Sequence, residues 1–430
     1  MQALLSLSIA LFAGLMLSRL AKVAKLPAVT AYLVAGILVG PYLLGSFGIA
    51  GLGFISMEDI EAYSILTDVA LGFIAFSIGN EFRLGQLKKT GKQATVIGIV
   101  QAVVTTLLVD AVLIGVHFLM PDKLSLPAAI ILGAIASATA PAATLMVVRQ
   151  YKAKGPLTDI LLPVVALDDA VGLMLFAASF GVAKALMSGK IDVISVLVEP
   201  VLEIVLSLVL GIVMGCLFTF FEKFFHSRSK RLSMSVTFVF LTVALSMMKF
   251  EIAGIHIAFS SLLVCMMLGT MFCNICDFSE ELMDRVDRWT APLFVLFFVL
   301  SGAELELSVF ADFAIVLVGV IYILSRSVGK YSGAFLSAKS VKCDDKIVKY
   351  LGVTLLPQAG VALGMAMKAE TIGPEGAIVA NITLFAVLIY ELVGPMLTKI
   401  SLLKAGEIEP EGKVSRREEH KQKLAQNNNK

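Results

Sequence analysis

Two adjacent carboxylates, Asp168 and Asp169, stand in the middle of VVALDDAVGLMLF (164–176), a run that is otherwise almost wholly apolar. One carboxylate at the centre of a bilayer costs at least ~2.5 kcal/mol on insertion scales, and two side by side cost more unless one is protonated or neutralised. Neighbours on a helix diverge by about 100°, so one of the pair can face a packed partner while the other faces a water-filled cavity. Only two basic residues lie inside an apolar run, Arg326 and Lys330, one helical turn apart. Lys330 differs from Asp168 in depth by roughly 7 Å, which a lysine side chain can largely close, so Asp168 is paired with Lys330. A carboxylate held this way is quenched alternately by a proton or a metal cation. If only the quenched form crosses the membrane, cation movement one way is coupled to proton movement the other. Lysine suits the switching role because a desolvated ammonium readily gives up its proton as sodium draws Asp168 away.

Oxygen donors for such a cation come from two helix-breaking motifs. SATAPAAT (137–144) carries the hydroxyls of Ser137, Thr139 and Thr144 around Pro141, and LLPQAG (355–360) carries the amide of Gln358 beside Pro357. Proline inside a helix removes a hydrogen bond and frees backbone carbonyls, which suit hard cations where they line a cavity. The two motifs lie seven apolar runs apart. An odd separation makes the segments antiparallel, as expected of inverted repeats formed by runs one to six and eight to thirteen, with the seventh as connector.

The elements that must hold these groups follow from composition. The chain has 430 residues, 58% of them hydrophobic and 16% charged, with mean hydropathy +0.90. That exceeds what a water-soluble core hides and predicts an all-α polytopic membrane protein. Thirteen spanning runs are expected, near 2–18, 28–45, 61–80, 93–118, 125–148, 156–183, 192–222, 232–248, 251–273, 289–307, 311–338, 350–367 and 376–398. The odd-numbered loops hold 3, 4, 3, 4, 2 and 4 Lys or Arg, and the even loops together hold five. The positive-inside rule then predicts an external N-terminus and a cytoplasmic C-terminus. Arg19, Lys22 and Lys25 follow the first apolar run instead of preceding it, which argues for a retained helix over a cleaved signal peptide. The tail 405–430 is polar and of mixed charge and is expected to be disordered or a single surface helix.

Several function classes fit less well. Cys273 and Cys276 have no second pair or nearby histidine to complete a metal site. An intramembrane aspartyl protease needs its carboxylates on separate helices, and a channel would place charges in a symmetric ring. Neither enzymatic activity, a cofactor nor a nucleic-acid partner is expected. Intramembrane Asp68, Asp110 and Glu391 read as hydrogen-bonded structural groups or extra pH-responsive ones, and Glu304 and Glu306 as exposed interface residues or a cation funnel.

With those residues in view, the chain resembles the cation/proton antiporter superfamily, in its second bacterial branch of NapA- and Kef-like transporters. KLPAVTAYLVAGILVGP (25–41), ALGFIAFSIGNEF (70–82), SATAPAATLMVV, the aspartate pair, GKYSGAFLSA (329–338) and LLPQAGVALG (355–364) carry the resemblance over nearly the whole length. It implies exchange of sodium or lithium for protons at a bacterial inner membrane, electrogenic because the pair is Asp-Asp, with a potassium/proton exchanger as the alternative. It implies Asp169 as the main ion-binding carboxylate and Asp168 as the salt-bridged one. Sodium would be held in transit by Asp169, Asp168 and Thr139. Lys330 or Arg326 would serve as the base. It also implies a homodimer and an elevator-like movement of core helices (93–186 and 311–404) against dimerisation helices (2–80 and 231–307), joined by a linker at 192–222, the whole membrane domain spanning 1–404. IAFSSLLVCMMLG in the ninth run and YELVGP in the thirteenth depart from the pattern.

Overall fold

The computed structural model describes residues 2–24, 26–49, 52–80, 82–188, 199–248, 250–252, 255–276, 278–304 and 313–409. Apolar runs in lipid must satisfy every backbone N–H and C=O internally, and helices do so within one segment. The chain accordingly folds into α1 (Gln2–Val23), α2 (Ala28–Val39), the short α3 (Met57–Glu61), α4 (Ser64–Asn80), α5 (Leu84–Leu119), α6 (Leu126–Ile135), α7 (Pro141–Tyr151) and α8 (Pro156–Ser188). Then follow α9 (Glu199–Glu222), α10 (Arg228–Ser246), α11 (Ser261–Ile275), α12 (Ser279–Ala303), α13 (Phe313–Ser340), α14 (Asp345–Thr354), α15 (Gly360–Glu370) and α16 (Pro374–Ala405). Among the described residues, eight helical stretches are long and apolar enough to cross a membrane by themselves, one of them α2 continued through a 3-10 turn to Phe47. The expected fifth and twelfth runs are instead pairs of half-helices, α6/α7 and α14/α15, while α4 and α11 are shorter apolar helices.

Two boundaries expected from the sequence are corrected. The ninth run begins as a helix only at Ser261, because residues ahead of it form a small antiparallel hairpin, β1 (Phe250–Ile252) and β2 (Ile255–Ile257), with Glu251 opposite His256. The β-branched Ile252, Ile255 and Ile257 favour extended backbone there. The tenth run begins earlier than expected, at Ser279, because SEELMDR supplies acidic residues to the first turn, where the helix dipole favours them.

Contacts sort the helices into two sets. In one, α5 packs along α13, α8 and α6, and α16 packs along α15, α13 and α14; in the other, α11 lies against α9 and α4, and α12 against α2, α4 and α1. The α5/α13 contact depends on Gly329 and Gly333, small residues one turn apart that let backbones approach. A Cβ on Gly333 would lie 2.8 Å from the Cα of Gln101.

One end of the bundle is tied by polar contacts. Glu407 accepts hydrogen bonds from the backbone N–H of Leu157 (2.6 Å) and Thr158 (2.8 Å) and from the Thr158 hydroxyl (2.6 Å), capping α8. Lys346 donates to the Ala405 carbonyl at 2.8 Å, and Arg149 bridges to Asp287 at 2.7 Å. We call this the Glu407 end. At the opposite, Glu304 end, α4 begins and α12 and α15 finish.

Gly333→Ala should force α5 and α13 apart and lower the thermal midpoint of the purified protein by an amount equivalent to about 1–3 kcal/mol. Gly364→Ala, where a Cβ meets nothing within 4 Å, is the control. Equal midpoints for the two variants would contradict the close-packing account.

Candidate functional site

The two breaks meet. Backbone unwinds at 136–140 between α6 and α7 and at 355–359 between α14 and α15, and the Ala140 N–H donates to the Pro357 carbonyl at 2.8 Å. Two helix C-termini, of α6 and α14, and two N-termini, of α7 and α15, therefore converge at one crossing. The C-termini present carbonyls with no intrahelical partner and the negative ends of two dipoles.

Those carbonyls are served from α13 and α15's leading edge. Arg326, fully buried, donates through Nε to Ala136 O (2.9 Å), through Nη2 to Ala138 O (2.6 Å) and through Nη1 to Leu356 O (2.7 Å). Its guanidinium also lies 4.4 Å from the centroid of the Tyr390 ring. Gln358 donates to Ile135 O and to the Tyr322 hydroxyl, both at 3.0 Å. Arg326 thus spans both breaks with the rigid fork that lysine lacks.

Lys330 lies one turn further along the same face of α13, and its Nζ is 2.8 Å from Asp168 Oδ2, both side chains being fully buried. The ammonium also donates to the Ser137 carbonyl and, at 2.9 Å, to Thr139 Oγ1. The Thr139 hydroxyl donates in turn to Asp168 Oδ2 at 2.6 Å, with Leu355 O at 3.2 Å as a second acceptor. Gln101 of α5 completes the carboxylate by donating to Oδ1. Asp168 therefore sits among donors drawn from α5, the first break and α13.

The other residues singled out in the sequence are placed less centrally. Lys330, and not Arg326, is the base bonded to Asp168, while Arg326 directs three of its N–H groups at the three carbonyls. Pro141 and Pro357 flank the crossing, at the start of α7 and within the second break. The Ser137 hydroxyl turns back to Ala134 O at 2.7 Å, and only its carbonyl faces Lys330. Thr144 is buried in α7 with its hydroxyl unpaired among the described residues. Asp169 follows Asp168 in α8, and its side chain lies outside the described residues, as do Glu306 and the tail from 410. Gln101 was missed. Its signal was a lone amide inside IVQAVV, the same kind of polar interruption that marks Asp168.

A helical membrane bundle with two crossed half-helix breaks around buried charges has the architecture of a secondary transporter. The chain belongs to the transmembrane sodium/hydrogen exchanger family, whose model matches residues 7–404. It is 24% identical over 395 residues to the Na(+)/H(+) antiporter NhaS4 of Synechocystis sp., covering 87% of this chain and 91% of that protein. It shares its fold with structures of the sodium proton antiporter MjNhaP1 from Methanocaldococcus jannaschii. One, determined at pH 8, has a TM-score of 0.64 at 20% identity, covering 94% of this chain and 97% of that one. Another has a TM-score of 0.70 at 17% identity, covering 94% and 98%. This is a multi-pass membrane protein of the cation/proton antiporter kind.

Arg326→Met should leave carbonyls at both breaks without donors, each costing about 1–3 kcal/mol when buried. Arg326→Lys should not restore stability, since one point charge cannot reach three carbonyls. Thermal unfolding in detergent reads both, and a Lys variant as stable as wild type would refute the bracing role.

Proposed function

We propose that this chain exchanges sodium or lithium for protons by alternating access, with Asp168 and Asp169 as the ion- and proton-carrying groups and Lys330 as the switching base. The observation that carries this reading is the set of groups gathered by the Lys330 ammonium: the Ser137 carbonyl, the Thr139 hydroxyl and the Asp168 carboxylate. All are oxygens of the type that hard cations prefer. A sodium ion drawn to the aspartate pair competes with the ammonium for that shell. Once displaced, a desolvated lysine readily releases its proton. Sodium then takes the place of the ammonium's positive charge beside the two carboxylates, so the acids are screened by the metal ion in one direction and by protons in the other.

The same reading gives the helices their parts. The set built on α5–α8 and α13–α16 moves as a core against α1–α4 and α10–α12, which form the dimerising scaffold of a homodimer in the bilayer, with α9 as linker. The weight of basic residues in the odd loops puts the Glu407 end in the cytoplasm and the Glu304 end outside. Arg149–Asp287 and the bond from the Ala28 N–H to Gln150 Oε1 (2.8 Å) tie core to scaffold at the cytoplasmic side. That supports an outward-open arrangement, with transport requiring those ties to break.

Dissipation of a pH gradient in proteoliposomes on addition of sodium, lithium or potassium, under an imposed membrane potential, tests substrate and electrogenicity together. Sodium and lithium should dissipate the gradient, and Asp168→Asn or Asp169→Asn should abolish the response. Normal exchange by the Asp169 variant would remove it from the site, and a response to potassium alone would replace sodium as substrate. Lys330→Ala should slow exchange or remove its voltage dependence. Unaltered electrogenic transport by that variant would leave the cycle without its base.

A further inference from the structure

We propose that Glu391 is a second binding station for the transported monovalent cation, in the cavity that opens at the Glu304 end. This rests on the exchange reading above and adds a residue that the crossing itself does not contain. The cavity, of about 320 Å³, lies between α4 and α12 on one side and α7, α15 and α16 on the other. Its charged lining among the described residues is wholly acidic: Asp68, Glu304, Glu370 and Glu391. At its deep end it touches the starts of α7 and α15. Two helix N-termini contribute about half a positive charge each. The lining carboxylates carry the opposite sign and, where ionised, favour a cation.

Glu391 differs from the other three. It is only 5% exposed, it borders the cavity, and it makes no hydrogen bond or ion pair with any described residue. The other two buried carboxylates among the described residues each have a basic partner: Asp168 has Lys330, and Glu222 has Arg231 at 2.7 Å. A buried carboxylate without donors is costly unless something neutralises it. The cavity offers no basic side chain for that, but it does offer the hydroxyl-bearing Ser301 and Thr67 on the facing helices. Oxygen-only surroundings and negative potential suit a partly hydrated alkali cation.

Its position connects it to the crossing. Gly394, one turn further along α16, lies against Pro357, where a Cβ would come within 3.0 Å of the proline Cα. Pro357 is bonded to Ala140, and Thr139 beside it holds Asp168. A cation resting at Glu391 has thus left bulk water and stands next to the backbone that carries the central carboxylate.

The test uses full-length protein in proteoliposomes, with sodium presented to one face at a time. Glu391→Gln should raise KM for sodium at the Glu304 face about ten-fold and leave KM at the Glu407 face unchanged. Glu391→Asp, which keeps the charge, should stay close to wild type at both faces. An unchanged KM at the Glu304 face, or an equal rise at both faces, overturns the proposal. Binding can also be read without transport, by sodium titration of the purified protein followed through its thermal midpoint. Wild type should need two binding sites to describe the curve and Glu391→Gln one; a single site in both overturns the station. If wild type shows no exchange with any of the three alkali cations, the exchange reading fails, while the titration still decides whether Glu391 binds sodium.

Discussion

A carboxylate in a dry interior has to be neutralised, and the architecture around Asp168 follows from that requirement. Lys330 supplies the charge, but an ammonium has three protons to place. The Ser137 carbonyl, Thr139 hydroxyl and Asp168 itself take them. The first of these acceptors is available only because the chain is unwound between α6 and α7, so the break and the salt bridge require each other. Close packing of α5 on α13 through Gly329 and Gly333 adds Gln101 to the other carboxylate oxygen. Breaking such a pair by deleting one partner leaves an uncompensated charge and costs roughly 3–5 kcal/mol, more than forming it gains.

The crossing also has an electrical polarity. The C-terminal ends of α6 and α14 are crowded with cationic and amide donors from Arg326, Lys330 and Gln358, and the N-terminal ends of α7 and α15 are left bordering the cavity. The basic side chains therefore serve two purposes. Arg326 holds backbone that would otherwise be unsatisfied in the membrane interior, and Lys330 divides its protons between that backbone and a titratable acid. Only the second arrangement can be undone by moving one proton.

Much of this was legible in the sequence, for identifiable reasons. Membrane interiors admit so few charges that Asp168 had only two possible partners, and depth along the helices favoured Lys330. Pro141 and Pro357 marked the breaks because proline cannot continue a hydrogen-bonded helix. What could not be read was whatever depended on three-dimensional convergence. Arg326 stood as an alternative base through the resemblance to relatives with arginine there, and its bracing role was hidden because the carbonyls it binds, at 136, 138 and 356, come from segments some two hundred residues apart in the chain. Gln101 looked like an ordinary polar residue until α5 and α13 were packed together. The hairpin at 250–257 was hidden by an apolar composition that suits a helix as well as a strand.

The carboxylate of Glu407 fastens the end of α16 onto the first turn of α8. The helix bearing Asp168 and the helix bearing Glu391 are consequently clasped together at that end, although the two acids lie more than two hundred positions apart in the chain. A pull on either helix at that end is therefore felt by the other, as through a common lever.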